Sequence, residues 1–382
     1  MNDLFGLPIS TLAIVLGGLL GVAVLTVAVL GIANRTMFKF GLRNIPRRGL
    51  QSLLVVVGLA LATLITTAAF VTGDTIDHSL TKDVYAVFGR SDVDVSWNGE
   101  RDFGRDQGAV LEGDVVYGDG TAVSALEQQF AGDKDIDAFL PFLNVAAPVT
   151  NTSSGDAKPA IQLTGVDFAR LEKAGGLTML NGTRANPADL GSDGVFLSKR
   201  AAHDLHARLG DSVEVTLNGK ATRYRVSGIV RDELASGVQG LSYSSAPGGL
   251  VMPIERLQAL AGFDNNEISS LTVALHGGVR DTGSLADPVA ERINAYLEGD
   301  GAAIFGPNVV KTDDSGAKAY TTKKDNIEKA ELNGNIFTTF FLVLGLFSMA
   351  AGVMLIFMIF VMLAAERRAE MGMARAVGAQ RG

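Results

Sequence analysis

Two histidines, His203 and His206, are the side chains whose spacing best suits metal chemistry. They lie three positions apart in a predicted helix at 199–209, with Asp204 between them, so both imidazoles would share one helix face. Imidazole nitrogens bind Zn²⁺, Cu²⁺ or Ni²⁺, and a carboxylate can complete such a set. No third ligand stands at a recognisable spacing. The pattern therefore favours an exposed polar helix over a metal site.

Other catalytic patterns are absent from the sequence. It contains no Gly-x-Ser-x-Gly nucleophile elbow, no Gly-x-x-x-x-Gly-Lys-[Ser/Thr] phosphate loop and no cysteine. Asp114 and Asp119 lie in a Gly-rich stretch and offer oxygen ligands for Ca²⁺, but their spacing is not that of an EF-hand. A solvated acidic loop is the favoured interpretation. We expect a protein that is not an enzyme and that binds no cofactor, no metal and no nucleic acid.

Three long apolar segments are the most prominent structural elements that the sequence predicts. Apolar residues make up 47% of the 382-residue chain and charged residues only 19%. The apolar residues concentrate at 1–33, 50–72 and 336–365, where each segment holds a charge-free run of more than 20 residues. About 20 apolar residues cross a bilayer as a helix, and a core helix is rarely apolar on every face for this length. The sequence predicts three spans, the first an uncleaved anchor.

The charge distribution predicts the orientation of these spans. Residues 34–49 carry five basic residues and no acid, and residues 366–382 carry four arginines against two glutamates. The chain as a whole has a net charge of −8, so the acidic excess lies almost entirely at 73–335. Because Lys and Arg are retained in the cytoplasm, we expect 34–49 and 366–382 inside and 73–335 outside a plasma or inner membrane.

Residues 34–49 alternate cationic and apolar side chains, which is typical of a helix or elbow lying in the membrane interface. A plain solvated loop is the alternative. The apolar side chains would enter the interface while the cations meet lipid phosphates. The predicted lipid-facing cations are Arg35, Lys39, Arg43, Arg47 and Arg48.

The outer region, 73–335, reads as a mixed α+β domain with two subdomains, the second inserted at about 150–248. Helical spacing predicts stalks at 74–88 and 318–335. Alternation of apolar and polar residues predicts a strand at 92–97, and Asn218-Gly219 predicts a hairpin turn. The predicted strands are 92–97, 136–149, 161–166, 194–198, 212–217, 222–230, 249–253, 271–275 and 303–310. The predicted helices are 123–130, 199–209, 254–261 and 288–297.

The last segment, 366–382, follows the third apolar run and combines charged and apolar side chains with a glycine that can end a helix. Such a surface suits a wet protein–protein interface, although an ordinary charged juxtamembrane helix is the alternative. The predicted contact residues are Glu366, Arg367, Arg368, Glu370, Met371, Met373, Arg375, Val377 and Gly378.

Two segments together resemble the MacB/FtsX-type permeases of ABC transporters. Phe40-Gly-Leu-Arg-Asn-Ile-Pro-Arg-Arg-Gly-Leu-Gln-Ser-Leu-Leu54 is similar to the basic elbow and first permease helix of that family. Glu366-Arg-Arg-Ala-Glu-Met-Gly-Met-Ala-Arg-Ala-Val-Gly-Ala379 is similar to its cytoplasmic coupling segment. Gly194-Val-Phe-Leu-Ser-Lys-Arg-Ala-Ala202 and Leu209-Gly-Asp-Ser-Val-Glu-Val215 resemble its extracytoplasmic core.

This resemblance implies a non-catalytic permease subunit. It would pair with a second permease copy and with an ABC ATP-binding subunit, whose ATP hydrolysis would move the outer domain to export or release a substrate. The alternatives are an FtsX-like regulator of an extracytoplasmic cell-wall enzyme, and a membrane-anchored binding or sensor protein without an ATPase. The segment 1–33 precedes the first helix of the family, and the family has further spans after its coupling segment. We therefore expect the sequence to be the N-terminal portion of a longer permease.

Overall fold

A computed structural model describes residues 3–4, 7–33, 35, 39, 49–97, 116–238, 247–263, 266–306 and 316–376. The chain forms two compact units. One comprises Met1–His78 with Leu332–Gly382, and the other comprises Ser79–Glu331.

The helical unit contains most of three long helices that carry extended apolar stretches. Helix α1 spans Ile9–Ala33, α2 spans Gly49–Phe88 and α8 spans Thr322–Ala376. The last part of α2, from Ser79, and the first part of α8, up to Glu331, lie in the second unit. Large apolar side chains such as Val22, Leu64 and Phe347 are more than two-thirds exposed. Since water would penalise such exposure, these helices need an apolar environment or further partners.

Within the described residues, one helical segment is long and apolar enough to cross a bilayer. It is Thr322–Met354 in α8, while the apolar stretches Val24–Ala33 and Val56–Ile65 are shorter. The number of spans therefore stays a prediction.

The second unit is a mixed α+β domain, as the sequence predicts for 73–335. Its helices are α3 (Thr121–Gln129), α4 (Phe168–Lys173), α5 (Lys199–Asp204), α6 (Ile254–Ala261) and α7 (Gly283–Glu298), besides the ends of α2 and α8. Its strands are β3 (Val93–Ser96), β4 (Gly118–Asp119), β5 (Ile136–Asn151), β6 (Ala157–Val166), β7 (Gly194–Ser198), β8 (Ser212–Leu217), β9 (Lys220–Val230), β10 (Gly249–Pro253), β11 (Glu267–Ile268), β12 (Ser270–Leu275) and β13 (Lys318–Tyr320). The helical unit adds the short hairpin β1 (Asp3–Leu4) and β2 (Leu7–Pro8).

Nine strands pair in the order β13-β3-β12-β5-β6-β10-β7-β9-β8, and a further pairing joins β8 back to β5. The 16-residue strand β5 makes this closure possible. Its first part pairs with β12, its last three residues pair with β8, and its other edge pairs with β6. Six strands, β5-β6-β10-β7-β9-β8, thus form a closed ring of pairings, which removes their open edges.

Side chains alternate between two apolar cores along these strands, as the two-residue period of a strand requires. In β7, Val195 and Leu197 belong to the larger core, and Phe196 belongs to the smaller one. The larger core also takes Leu126 from α3 and Ile293 from α7. All five residues are fully buried. Both faces of the sheet are therefore covered, which explains the nearly continuous apolar runs in β7 and β12.

The predicted strands and helices agree with the structure at most positions. Strand β7 has the predicted ends, and Asn218 and Gly219 adopt the positive φ angles, 50° and 74°, of the expected hairpin turn. The predicted helix 199–209 is too long, because α5 ends at Asp204. The strand predicted at 303–310 is wrong over 303–305, where the chain forms a turn, and 307–310 lie outside the described residues.

The predicted second stalk begins later than expected. Residues 318–320 form strand β13, which pairs with β3, and α8 begins at Thr322. The predicted insertion at about 150–248 contains β6 to β9, which pair with β5 and β10 from outside that range. The limits of the two subdomains stay a prediction.

Candidate functional site

The place where the two stalks meet the outer domain is the best-defined polar site among the described residues. We call it the stalk joint. It comprises the end of α2 with the turn to Asp92, the loop 277–282, and the start of α8 at Thr322–Lys323. All of it lies in the unit Ser79–Glu331.

The stalks pack directly against each other through a small apolar cluster. Val84, Val87 and Phe88 of α2 are at most 3% exposed, and Ala330 of α8 is 8% exposed. Leu80 and Ile327 from the stalks, and Leu234 from a short 3₁₀ helix, pack around them. Burying one aliphatic side chain contributes about 1.5–3 kcal/mol. The cluster therefore holds the two stalks side by side at the base of the domain.

A glycine ends the first stalk and redirects the chain. Gly89 has φ of 53°, and its N–H donates to the carbonyl of Tyr85 at 3.1 Å. A left-handed residue just after a helix is disfavoured for residues with a Cβ and common for glycine. The Ser91 N–H donates to the Phe88 carbonyl at 2.8 Å, which completes the turn into β3.

Hydrogen bonds between Thr321 and Asp325 stabilise the start of the second stalk. The Thr321 hydroxyl donates to the carboxylate of Asp325 at 3.0 Å, and the Asp325 N–H donates to the Thr321 carbonyl at 2.9 Å. Asp325 also places a negative charge in the first turn of α8, where the helix dipole favours it. This arrangement fixes Lys323 in the first turn, immediately after β13.

The Lys323 ammonium is the centre of the joint. It donates to the Gly89 carbonyl at 2.7 Å, the Val279 carbonyl at 2.5 Å and the Asp92 carboxylate at 2.8 Å. The Lys323 side chain is 3% exposed and that of Asp92 only 1%. Burial lowers the Lys323 pKa below its ordinary value, and Asp92 acts in the opposite direction. All three hydrogens of the ammonium group thus have acceptors.

The Asp92 carboxylate is equally well satisfied. It accepts the Thr282 hydroxyl at 2.7 Å and the Leu275 N–H at 2.8 Å, in addition to Lys323. A buried ion pair repays its desolvation only with such additional hydrogen bonds. One polar network therefore ties the end of the first stalk, the edge of the sheet, the loop 277–282 and the start of the second stalk.

Tyr85 adds an aromatic wall to this network. The Lys323 Nζ lies 5.7 Å from the centre of the Tyr85 ring, and the Arg280 guanidinium carbon lies 5.2 Å from it. Both distances are within the range of cation–π attraction. The next residue, Lys324, instead pairs with Asp287 and Glu328 at the surface, so only the first of two adjacent lysines belongs to the joint.

Comparison with known protein families assigns the chain to one of them. The MacB-like periplasmic core domain family matches residues 52–296. The chain belongs to this family. Membership implies a membrane-anchored protein with an extracytoplasmic domain and a transporter-related role, which confirms the resemblance to MacB/FtsX-type permeases.

Two solved structures are similar to the chain. One is the periplasmic region of MacB from Actinobacillus actinomycetemcomitans, with 17% identity, a TM-score of 0.35, and coverage of 55% of this chain and 86% of that one. The other is the extracellular domain of the noncanonic ABC-type transporter YknZ from Gram-positive bacteria. It has 14% identity, a TM-score of 0.33, and coverage of 54% of this chain and 94% of that one. No curated protein matches the chain.

The predicted cytoplasmic contacts of this MacB-like chain are only partly described. Arg35 and Lys39 are exposed helical residues, whereas Arg43, Arg47 and Arg48 of the elbow lie outside the described residues. In the coupling segment, α8 continues to Ala376 and so includes every predicted contact from Glu366 to Arg375. Val377 and Gly378 lie outside the described residues.

The candidate metal ligands do not form a site. His206 lies beyond the end of α5 with φ of 46°, its Nδ1 lies 3.1 Å from an oxygen of Asp156, and its ring is 6.4 Å from that of His203. Among the described residues, no three His, Cys, Asp or Glu side chains cluster around a possible metal position. Asp119 accepts the Thr121 N–H at 2.8 Å and so helps to start α3. Asp114 lies outside the described residues.

The stalk joint itself was not predictable from the sequence. Asp92 reads as the first residue of a strand, and Lys323 reads as one of several polar stalk residues. The sequence gives only an indirect indication of the stalk joint. Asp92 lies shortly after the first predicted stalk and Lys323 lies near the start of the second, and the fold brings together these two charges, which lie 231 positions apart.

Proposed function

We propose that this chain is a permease subunit of an ABC transporter, and that it couples ATP hydrolysis by a cytoplasmic partner to movement of its outer domain. The stalk joint is the observation that carries the proposal. If a partner subunit is to move the outer domain, the helices that connect this domain to the membrane must be firmly attached to it, because a loose connection would absorb any displacement. A buried ion pair and an apolar cluster, both at the stalk ends, supply this fixation.

The proposed topology follows the charge distribution. Residues 1–33, 50–72 and 336–365 span the membrane, with 34–49 and 366–382 inside and 73–335 outside. The five elbow cations Arg35, Lys39, Arg43, Arg47 and Arg48 meet lipid headgroups. A second permease copy and an ATP-binding subunit complete the assembly, and an extracytoplasmic substrate or protein is the object of the movement.

Force would travel along α8. This helix contains Lys323 of the joint and also residues 366–376 of the coupling segment. A helix is a rigid element that can carry a displacement between its ends. ATP binding would shift the partner subunit against Glu366–Arg375, and the stalk would transmit the shift to the outer domain. No substrate needs to pass between the helices.

Co-purification tests this proposal. The full chain, carrying an affinity tag, is expressed with a candidate ABC ATP-binding subunit from its source genome and purified in mild detergent. We expect the ATPase to co-purify with the wild type and not with Arg375→Glu or a chain lacking 366–382. The charge-matched control is Arg223→Glu, because Arg223 is an exposed residue of the outer domain, paired with Glu214. Equal recovery of the ATPase with Arg375→Glu and with the wild type would contradict the proposal.

A further inference from the structure

The stalk joint has open space on two sides. A cavity of about 240 Å³ lies between residues 88–91, at the end of the first stalk, and the part of the domain that contains Ala174 and Ala235. A second cavity, of about 230 Å³, lies between the stalks and the start of α7, with Tyr85 and Ala286 in its wall. Packed side chains resist displacement and empty space does not. The ion pair of the joint alone would therefore leave the stalk pair free to tilt about it.

On the side of α7, the contacts that restrain the stalks are polar. Lys324 pairs with Asp287 at the surface, and the Arg280 guanidinium carbon lies 5.2 Å from the centre of the Tyr85 ring. An exposed ion pair contributes little, because water and salt screen it, and an exposed cation–π contact is similarly weak. These contacts would yield to a tilt of the stalks.

On the opposite side, an apolar side chain reaches the stalks from the outer domain. Within the described residues, Leu234 is the one member of the apolar stalk cluster that belongs to neither α2 nor α8. It packs against the buried part of that cluster, which consists of Val84, Val87, Phe88 and Ala330. Leu234 therefore bridges the stalks and the domain beside the first cavity.

The 3₁₀ turn Leu234–Ser236 holds this side chain in place. The Glu233 N–H donates to the Ser236 hydroxyl at 2.8 Å, and the Ser236 N–H donates to the Glu233 carbonyl at 2.9 Å. Ser236 and Val238 are fully buried, and the turn packs on β6, β7 and β10. These strands belong to the closed ring of six strands, whereas the stalks join β3 and β13. Leu234 thus connects the stalks to a second part of the sheet.

We propose that Leu234 is a positioning residue that sets the tilt of the stalk pair. The ion pair between Lys323 and Asp92 is the first point of attachment, and Leu234 is the second. Two points are needed, because a single point of contact between two bodies leaves them free to turn about it. The inference goes beyond the proposed coupling function, and its test needs no ATPase.

A distance measurement between two spin labels tests the inference. Because the chain has no cysteine, Ser79→Cys on the first stalk and Thr216→Cys on β8 place the labels at two exposed positions. The full chain is reconstituted at one copy per lipid nanodisc, so that every distance is measured within one chain. We expect Leu234→Ala to widen the distance distribution about twofold or more, because the truncated side chain leaves a void at the contact. Leu234→Val should give an intermediate width.

A control and a compensating substitution separate this role from general destabilisation. Leu209→Ala is the matched control, because Leu209 is 69% exposed in the loop between α5 and β8, and it should leave the width unchanged. Ala174 is buried and lines the first cavity. Ala174→Leu fills that space and should narrow the distribution again in the Leu234→Ala chain. The fluorescence of Trp97 shows whether each variant is folded.

A merely structural role for Leu234 would lower stability without changing the width. Equal widths in the wild type and in Leu234→Ala would therefore overturn the inference, as would the same broadening in Leu209→Ala. A broad distribution that Ala174→Leu leaves unchanged would also contradict it. None of these results bears on the co-purification of the ATPase, so this inference and the proposed function fail separately.

Discussion

Replacing Lys323 by methionine tests the central feature of the stalk joint. The substitution keeps the length of the side chain but removes the ammonium that binds the Asp92 carboxylate and two carbonyl groups. Asp92, whose side chain is 1% exposed, would remain buried with two donors and no counter-charge. Removing one partner of a buried pair costs about 3–5 kcal/mol. We expect Lys323→Met to lower the free energy of unfolding of the outer domain by this amount.

The assay exploits the composition of the chain. Trp97 is its only tryptophan, is 3% exposed and stacks on Phe305 with ring centres 4.7 Å apart. Urea unfolding of the full chain in detergent, followed by Trp97 fluorescence, therefore reports on the outer domain alone. The matched control is Lys324→Met, because Lys324 lies in exposed ion pairs that are worth about 0–1 kcal/mol.

A double-mutant cycle identifies the pair as the cause. Asp92→Asn alone leaves Lys323 buried without its counter-ion and should also be strongly destabilising. The double variant removes both charges, so it should be more stable than the sum of the single losses predicts, by at least about 1 kcal/mol. A loss below about 1 kcal/mol for Lys323→Met, or strict additivity in the cycle, would refute the account of the joint.

Three further predictions rest on particular residues of the outer domain. Because the Glu233 pKa is raised from 4.5 to about 7, the folded state binds more protons than the unfolded state between these values. Stability should therefore fall as pH rises through that window, by at most about 3 kcal/mol, and Glu233→Gln should flatten the unfolding profile. Gly249→Ala would place a Cβ 1.7 Å from the Ser236 carbonyl oxygen, so its outer domain should lose stability or fail to fold, as Trp97 fluorescence will show. Val87→Asp puts an unpaired charge into the apolar cluster of the stalks and should cost more than about 2 kcal/mol, whereas a loss within error would exclude that cluster as a stabilising contact.

Local patterns were sufficient to predict most of the outer domain. The strands predicted at 194–198 and 271–275 match β7 and β12, and Asn218-Gly219 identified a turn, because these features depend on neighbouring residues. The pairing of β5 with three other strands was not predictable, since the tertiary fold decides which distant strands become neighbours. Strand β13 was missed for a related reason. Three residues at a sheet edge are too few to show a period.

The candidate functional residues likewise include some that the sequence predicts and some that it does not. The coupling segment 366–382 was predictable from charge next to an apolar run, and its role stays a prediction. The stalk joint depends on Asp92 and Lys323 meeting across the fold, which only three-dimensional structure reveals. The helix at 199–209 illustrates the opposite error. Regular spacing suggested that His203 and His206 share a helix face, but α5 ends at Asp204.

The central claim is that ATP hydrolysis by a partner moves the stalks, and electron–electron distance measurement tests it most directly. Because the chain has no cysteine, Ser79→Cys at an exposed position of the first stalk introduces a single spin label per copy. In the complex with the ATP-binding subunit, the label-to-label distance between the two permease copies should shift when ATP and vanadate are added. Arg375→Glu should abolish the shift. Identical distance distributions with and without nucleotide in the wild-type complex would contradict the account.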